Sequence, residues 1–208
     1  MENKLFLTLY KHNNRLRIVA LSSLMLSACS SHSPVEFYML NAETSVDTPS
    51  PSVAFNSKLL IGIGPIHVPE YLNRPQMVIA KSENQYVLDE QHRWAENLTE
   101  NINRSIAQFL AKRLGVEQIL RYPWSQRQQI DYQVSVDIFQ FHQNADQHSQ
   151  LNAQWQIKHQ EQTLLTHNFS CDVAAQSQPE AIVAAQSTCL SNLGLEIEAG
   201  LRQLAQMK

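Results

Sequence analysis

Glycine is scarce, with five in 208 residues. None falls in a GxxxxGK[ST] phosphate loop, a GxGxxG dinucleotide turn or a GxSxG nucleophile elbow. Gly62-Ile63-Gly64-Pro65 is a lone GxG inside a strand-like run, and Pro65 blocks a helix start there. Zinc-type spacings such as HxxxH and HExxH are missing, so His32, His67, His92, His142, His148, His159 and His167 read as side chains on polar hairpins. The three cysteines form no CxxC, which excludes a dithiol redox motif. No Lys/Arg-rich run exists and the net charge is −3, whereas a nucleic-acid partner calls for a basic patch. The acid pairs Glu83/Asp89 and Glu96/Glu100 could serve general acid–base chemistry, but on solvated positions they read as solubilising charge. The sequence therefore offers no catalytic residues, no metal ligands and no cofactor site, and the reading is that the chain is not an enzyme.

What is present begins at the N-terminus. Lys4, Lys11, Arg15 and Arg17 precede an apolar run from Ile18 to Ala28. A basic segment, a short apolar run and small residues describe a secretory signal peptide. The run is too short to span a bilayer, which needs roughly 20 residues, and no later stretch is apolar enough to do so. Leu26-Ser27-Ala28-Cys29 resembles the bacterial lipobox; an ordinary signal peptide with a chance cysteine is the alternative. The resemblance implies cleavage before Cys29 and acylation of that cysteine, with palmitate among the chains such signals receive. Residues 1–28 are then a lipoprotein signal peptide, 29–35 a lipid tether and 36–208 the folded domain. Removing four Lys/Arg and one Asp/Glu from the chain's 16 and 19 leaves a mature net charge of −6. The residue after Cys29 is Ser30 rather than Asp. By the usual sorting rule, that implies the inner leaflet of the outer membrane, with the body on its periplasmic face.

Within the domain, Glu36 to Leu40 reads as a first strand, and Asn41 to Ser57 as a loop. Lys58 to Val68 reads as a buried strand kinked at its glycines, and Pro69 to Pro75 as a rigid loop. Gln76 to Ala80 and Tyr86 to Asp89 form a hairpin. Trp94, Leu98, Ile102, Ile106, Phe109, Leu110 and Leu114 recur at helical spacing, predicting a helix over 90–114 with Gly115 as its stop and Glu96, Glu100, Asn103, Arg104 and Gln108 on the solvated face. A short strand over 116–120 and an aromatic turn, Arg121 to Trp124, follow. Strands are then expected over 130–141, 151–157 and 163–173. Phe139 and Phe141 break the alternation of the first, through either a bulge or burial of both faces. The last helix, 178–207, carries Ser177 and Glu180 at capping-box spacing, with Gly194 and Gly200 as local weak points. The fold class is α+β: one domain, a mixed or antiparallel sheet packed by two long helices.

Cys171 and Cys189 remain as an even pair in an oxidising compartment. A disulfide between them would pin the last helix to the sheet; two buried free thiols would instead pack as small apolar groups. Large side chains on the turns at Tyr71, Leu72 and Trp124 are candidates for a contact surface, or fold back to cap the core.

These turns carry a family resemblance. Glu36-Phe37-Tyr38-Met39-Leu40 after a lipobox, Ile63-Gly64-Pro65, Val68-Pro69, Tyr71-Leu72-Asn73-Arg74-Pro75-Gln76, Arg93-Trp94-Ala95, Tyr122-Pro123-Trp124 and Asp131-Tyr132-Gln133-Val134 occur in one order. The set resembles the PqiC/YmbA family of ABC-type transport auxiliary lipoproteins over roughly Cys29 to Ile157. Phe37-Tyr38 stands where the family usually has two tyrosines. The resemblance implies an auxiliary subunit of an MCE-type intermembrane lipid transport system that supports envelope integrity. It implies an MCE-domain periplasmic protein as partner and a homo-oligomeric ring, and it brings no catalytic residues. Tyr71, Leu72, Arg74 and Trp124 are the partner-binding residues expected on this basis. The alternative is a structural or assembly lipoprotein, pilotin-like, that binds another envelope protein and moves no lipid. A periplasmic hydrolase is a third reading, and no residue here nominates itself for it.

Overall fold

Strand β6, Tyr132–Gln143, is the spine of the molecule. In a computed structural model that describes residues 34–41, 55–125 and 127–207, it pairs with three other strands. The lipobox and most of the loop expected after Leu40 lie outside the described residues. The preceding strands are β1 (Glu36–Tyr38), β2 (Ile61–His67), β3 (Gln76–Ser82), β4 (Gln85–Trp94) and β5 (Ile119–Arg121), with helix α1 (Leu98–Leu114) between β4 and β5. Then come β7 (His148–His159), β8 (Gln162–Ala174) and helix α2 (Pro179–Gln206). The eight strands form one mixed sheet: β6 runs parallel to β2, antiparallel to β7, and meets β3 at Ile79 opposite Gln143. Both helices pack on it, so the chain is a single α+β domain, as its sequence pattern indicates.

Alternation explains the long strands. Tyr132, Val134, Val136 and Ile138 are buried, as are Leu151, Ala153, Trp155 and Ile157 on β7. A bulge between Ile138 and Gln140 resets the phase: Phe139 turns outward at 55% exposure while Phe141 returns to the core. On β2 the register slips between Ile63 and Ile66. There Gly64 has φ of 119°, and a Cβ would sit 2.5 Å from Tyr122 Cβ, so no other residue fits.

Helix α1 starts at Leu98, eight residues later than its apolar spacing suggests. Trp94 and Leu98 do lie four apart and both are buried, but Trp94 belongs to β4. It pairs with Tyr38 and donates its N–H to Pro75 O at 2.7 Å. Asn97 begins the helix instead, its Oδ1 accepting the Thr99 and Glu100 N–H groups. Gly115 ends it in the left-handed region at φ 66°. Asn103 is corrected from the solvated face to the core, at 4% exposure. Asn101 Oδ1 accepts Leu40 N–H at 2.9 Å and Ser105 Oγ donates to Leu40 O, so buried polar groups on α1 hold the end of β1.

Helix α2 lacks the expected capping box. Its N-cap is Gln178, which makes no side-chain cap bond, and Glu180 turns to the Tyr38 hydroxyl. Gly194 and Gly200 are packing points rather than weak points. A Cβ on Gly194 would lie 2.6 Å from Phe109 Cδ1, and one on Gly200 2.9 Å from Trp155 Cη2. Glycine at these two positions lets α2 approach α1 and β7 closely. Cys171 on β8 and Cys189 on α2 are joined by a disulfide, with their Cα atoms 5.5 Å apart.

Candidate partner-binding site

The loop after β2 is wound tightly by its own backbone. Leu72 and Asn73 N–H groups both reach Pro69 O, and Arg74 N–H reaches Leu72 O at 2.8 Å. This winding turns Leu72 inward, where it is 2% exposed in the core cluster. Leu72 is therefore corrected from a contact residue to a core residue, since its apolar side chain is stabilised by burial in the core cluster. Asn73 Oδ1 accepts from Asn97 Nδ2 at 3.0 Å, which ties the loop to the N-cap of α1.

Tyr71 points the other way, toward the end of β6. Its hydroxyl lies 3.2 Å from His142 Nδ1, and its ring lies 5.1 Å from that of Tyr86 on β4. Tyr86 meets His142 edge-on at 5.3 Å, closing a three-ring cluster with one exposed member, Tyr86. Burial, with a smaller contribution from Tyr86, pushes the Tyr71 phenol up to about 12. Burial holds the His142 imidazolium below its usual pKa. Burial thus disfavours the charged ring beside the Tyr71 hydroxyl. Arg74 is half-buried, and its Nε has no hydrogen-bond partner among the described residues. That Nε is itself buried, so it is an orphaned donor inside the loop and not a group that another molecule reaches.

Trp124 sits elsewhere. Its indole stands edge-to-face with Tyr122 at 5.4 Å, and its six-membered ring covers Gly62, whose Cβ would come within 3.0 Å of it. Tyr122 N–H holds the turn to Ile63 O at 2.9 Å. Trp124 also lines a polar cavity of about 370 Å³ with Gln128, Asp131, Gln133 and His159. Gln133 and His142 lie nine residues apart along β6, or about 30 Å at strand rise. The structure therefore brings Tyr71 and Arg74 to one loop and leaves Trp124 toward the far end of the spine strand.

Sequence reasoning missed one further place. Tyr38 Oη lies 2.7 Å from Glu36 Oε2 and 3.0 Å from Glu180 Oε1. The hydrogen bond with Glu36, aided by burial and by Glu180, raises the phenol pKa well above its usual range. Beside it, β1 and α2 enclose a groove of about 620 Å³ lined by Met39, Val183, Ala184 and Thr188 among others. The signal was the aromatic pair Phe37-Tyr38, visible in the sequence without its partner on α2. Among the described residues no group of His, Cys, Asp and Glu side chains is arranged to hold a metal ion. No described helix is long and apolar enough to cross a membrane.

Two solved structures share this fold. An uncharacterized protein superposes with a TM-score of 0.65 at 18% identity, covering 81% of this chain and 99% of its own. Protein XCC0632 from Xanthomonas campestris, of family DUF330, superposes with a TM-score of 0.69 at 14% identity, covering 83% of this chain and all of its own. No curated protein sequence matches the chain. The family model described as the ABC-type transport auxiliary lipoprotein component matches residues 38–198, from the edge strand β1 to the middle of α2, and the chain belongs to that family.

Proposed function

We propose that this protein is an outer-membrane-anchored periplasmic lipoprotein, acylated at Cys29, that serves as an auxiliary subunit of an MCE-type intermembrane lipid transport system. The family match over residues 38–198 carries this reading, because an auxiliary component acts through a transport machine rather than by its own chemistry. The partner is an MCE-domain protein spanning the periplasm, and the lipoprotein receives its distal end, with a ring of identical subunits matching that end. Tyr71 and Arg74 form one contact. The tightly wound loop holds them in place, and the partly exposed Arg74 brings a positive charge to that contact. Trp124, with the exposed Tyr122, forms a second contact toward the other end of β6. A partner that spans both is large, as the end of a periplasmic conduit is. The removed segment 1–28 serves delivery, and the tether 29–35 joins the anchor to the domain.

The test is affinity purification of the tagged lipoprotein from crosslinked envelopes in mild detergent. Recovery of an MCE-domain protein, lost on Tyr71→Ala, Arg74→Ala or Trp124→Ala with the domain still folded, supports the reading and its contacts. Recovery only of a secretion or assembly subunit sinks it.

A further inference from the structure

Strand β1 and the residues flanking it, Val35 to Leu40, show apolar side chains on both sides. Leu40 points into the core at 1% exposure. Val35, Phe37 and Met39, at alternate positions along this segment, are exposed at 37%, 64% and 47%, with Met39 at the rim of the groove against α2. Scattered exposed apolar residues are ordinary, but three in a row on one edge of a sheet form a stripe. Edge strands are usually blunted with charge or proline; here Glu36 lies between the stripe residues and Pro34 just ahead of them, and the stripe itself carries neither. Across the ladder Phe37 is paired with Arg93, whose guanidinium is held 3.0 Å from Glu90, so a cation and its counter-ion flank the stripe.

The chain itself says what lies nearest. Cys29 is six residues before Val35, and the residues between are Ser30, Ser31, His32, Ser33 and Pro34. Six residues reach at most about 20 Å even when fully extended. On the reading that Cys29 is acylated, the stripe cannot leave the immediate neighbourhood of the bilayer surface. At that range the membrane is present at high effective concentration, so a modest apolar contact suffices to engage it. The mature net charge of −6 gives no general attraction to anionic lipid, which leaves apolar contact as the driving force.

We propose that Val35, Phe37 and Met39 form a membrane-contact edge. They enter the headgroup–acyl boundary of the anchoring leaflet and set the orientation of the domain on it. The lipid anchor supplies attachment, and the stripe supplies direction.

The test uses the acylated full-length protein with a single nitroxide at Phe37→Cys or Met39→Cys, and at Phe139→Cys as an exposed control on β6. With Cys29 acylated and Cys171 bonded to Cys189, the introduced thiol takes the label. Vesicles of phosphatidylethanolamine and phosphatidylglycerol are added, flotation is scored, and accessibility to oxygen and to a water-soluble nickel chelate is read by power-saturation spectroscopy. The proposal expects several-fold less nickel access and more oxygen access at positions 37 and 39, with no change at 139. Protein that fails to float overturns the anchoring reading and this proposal with it. Floating protein whose positions 37 and 39 stay water-accessible overturns the proposal alone. So does loss of access to both reagents, which marks a protein interface such as a second copy.

Discussion

Glu198 on α2 accepts Arg113 Nε from α1 at 2.7 Å on one carboxylate oxygen and Arg202 Nε at 2.9 Å on the other. The three side chains are between 3% and 10% exposed, and Arg202 also donates to Arg113 O in the last turn of α1. Glu198 thus bridges two buried cations and clamps the helices together. Glu198→Ala removes the carboxylate shared by two buried guanidinium groups, and an expected loss of about 3–5 kcal/mol follows from breaking a buried pair on one side only. Urea unfolding measures it. A loss below ~1 kcal/mol contradicts a buried clamp.

Phe109 packs where Gly194 has no side chain. Gly194→Ala places a Cβ 2.6 Å from the ring. Overpacking of this kind costs about 1–3 kcal/mol, outweighing alanine's better helix propensity. Shortening the opposing ring by Phe109→Leu in the same chain is expected to recover part of the loss, so the double-mutant cycle should show coupling between the two sites. Strict additivity would place the strain elsewhere.

How much of this was legible in the sequence depends on the kind of signal. Period-two alternation in Tyr132 to Ile138 and Leu151 to Ile157 gave the two central strands, because one face of each meets the helices. The start of α1 was misjudged because Trp94 and Leu98 keep helical spacing across a change of element, while the deciding feature was a lone Asn97 cap. Gly194 and Gly200 look like helix defects until their partners Phe109 and Trp155, distant in sequence, are placed beside them. Among the proposed contacts, Tyr71 and Arg74 are legible in the sequence only as loop residues. Nothing local showed that the turn buries Leu72 between them, or that Trp124 stands toward the far end of β6.

The Cys171–Cys189 bond closes a loop with a sequence separation of 18. The chain-entropy account gives a stabilisation of about 3 kcal/mol for a loop of this size. Cys171→Ala with Cys189→Ala is expected to lower stability by that order and to leave the domain folded, since the core of β6, β7 and α1 lies outside the loop. Unfolding of the double variant against the oxidised parent checks this. Equal midpoints would mean the bond adds nothing.

Acid should weaken the fold in two steps. Burial holds the His142 pKa below the usual 6.5, so below that pH the unfolded chain binds a proton that the folded chain refuses. Stability is full above this range and falls as pH drops toward the folded value. At lower pH Asp89 and Asp172 act in the same direction. For Asp89, burial raises the pKa, but hydrogen bonds from His92 and the Gln91 and His92 N–H groups outweigh it. Gln150 and His148 lower that of Asp172. Their contribution is present above the unfolded carboxylate pKa near 3.8 and is lost as pH falls through the folded values. His142→Gln keeps an acceptor for Tyr71 and removes the first step. Its urea midpoint should change less than the parent's between pH 7.5 and 5.5, and parallel changes would contradict the assignment.

The transport reading is tested most directly at Tyr71. A photoreactive phenylalanine analogue placed at position 71 in the acylated protein, irradiated in intact cells, reports which molecule touches that loop. The account predicts a covalent adduct with an MCE-domain periplasmic protein, diminished by Arg74→Ala in the same chain. Adducts formed only with a secretion or assembly subunit, at expression levels that keep the lipoprotein anchored, would contradict it.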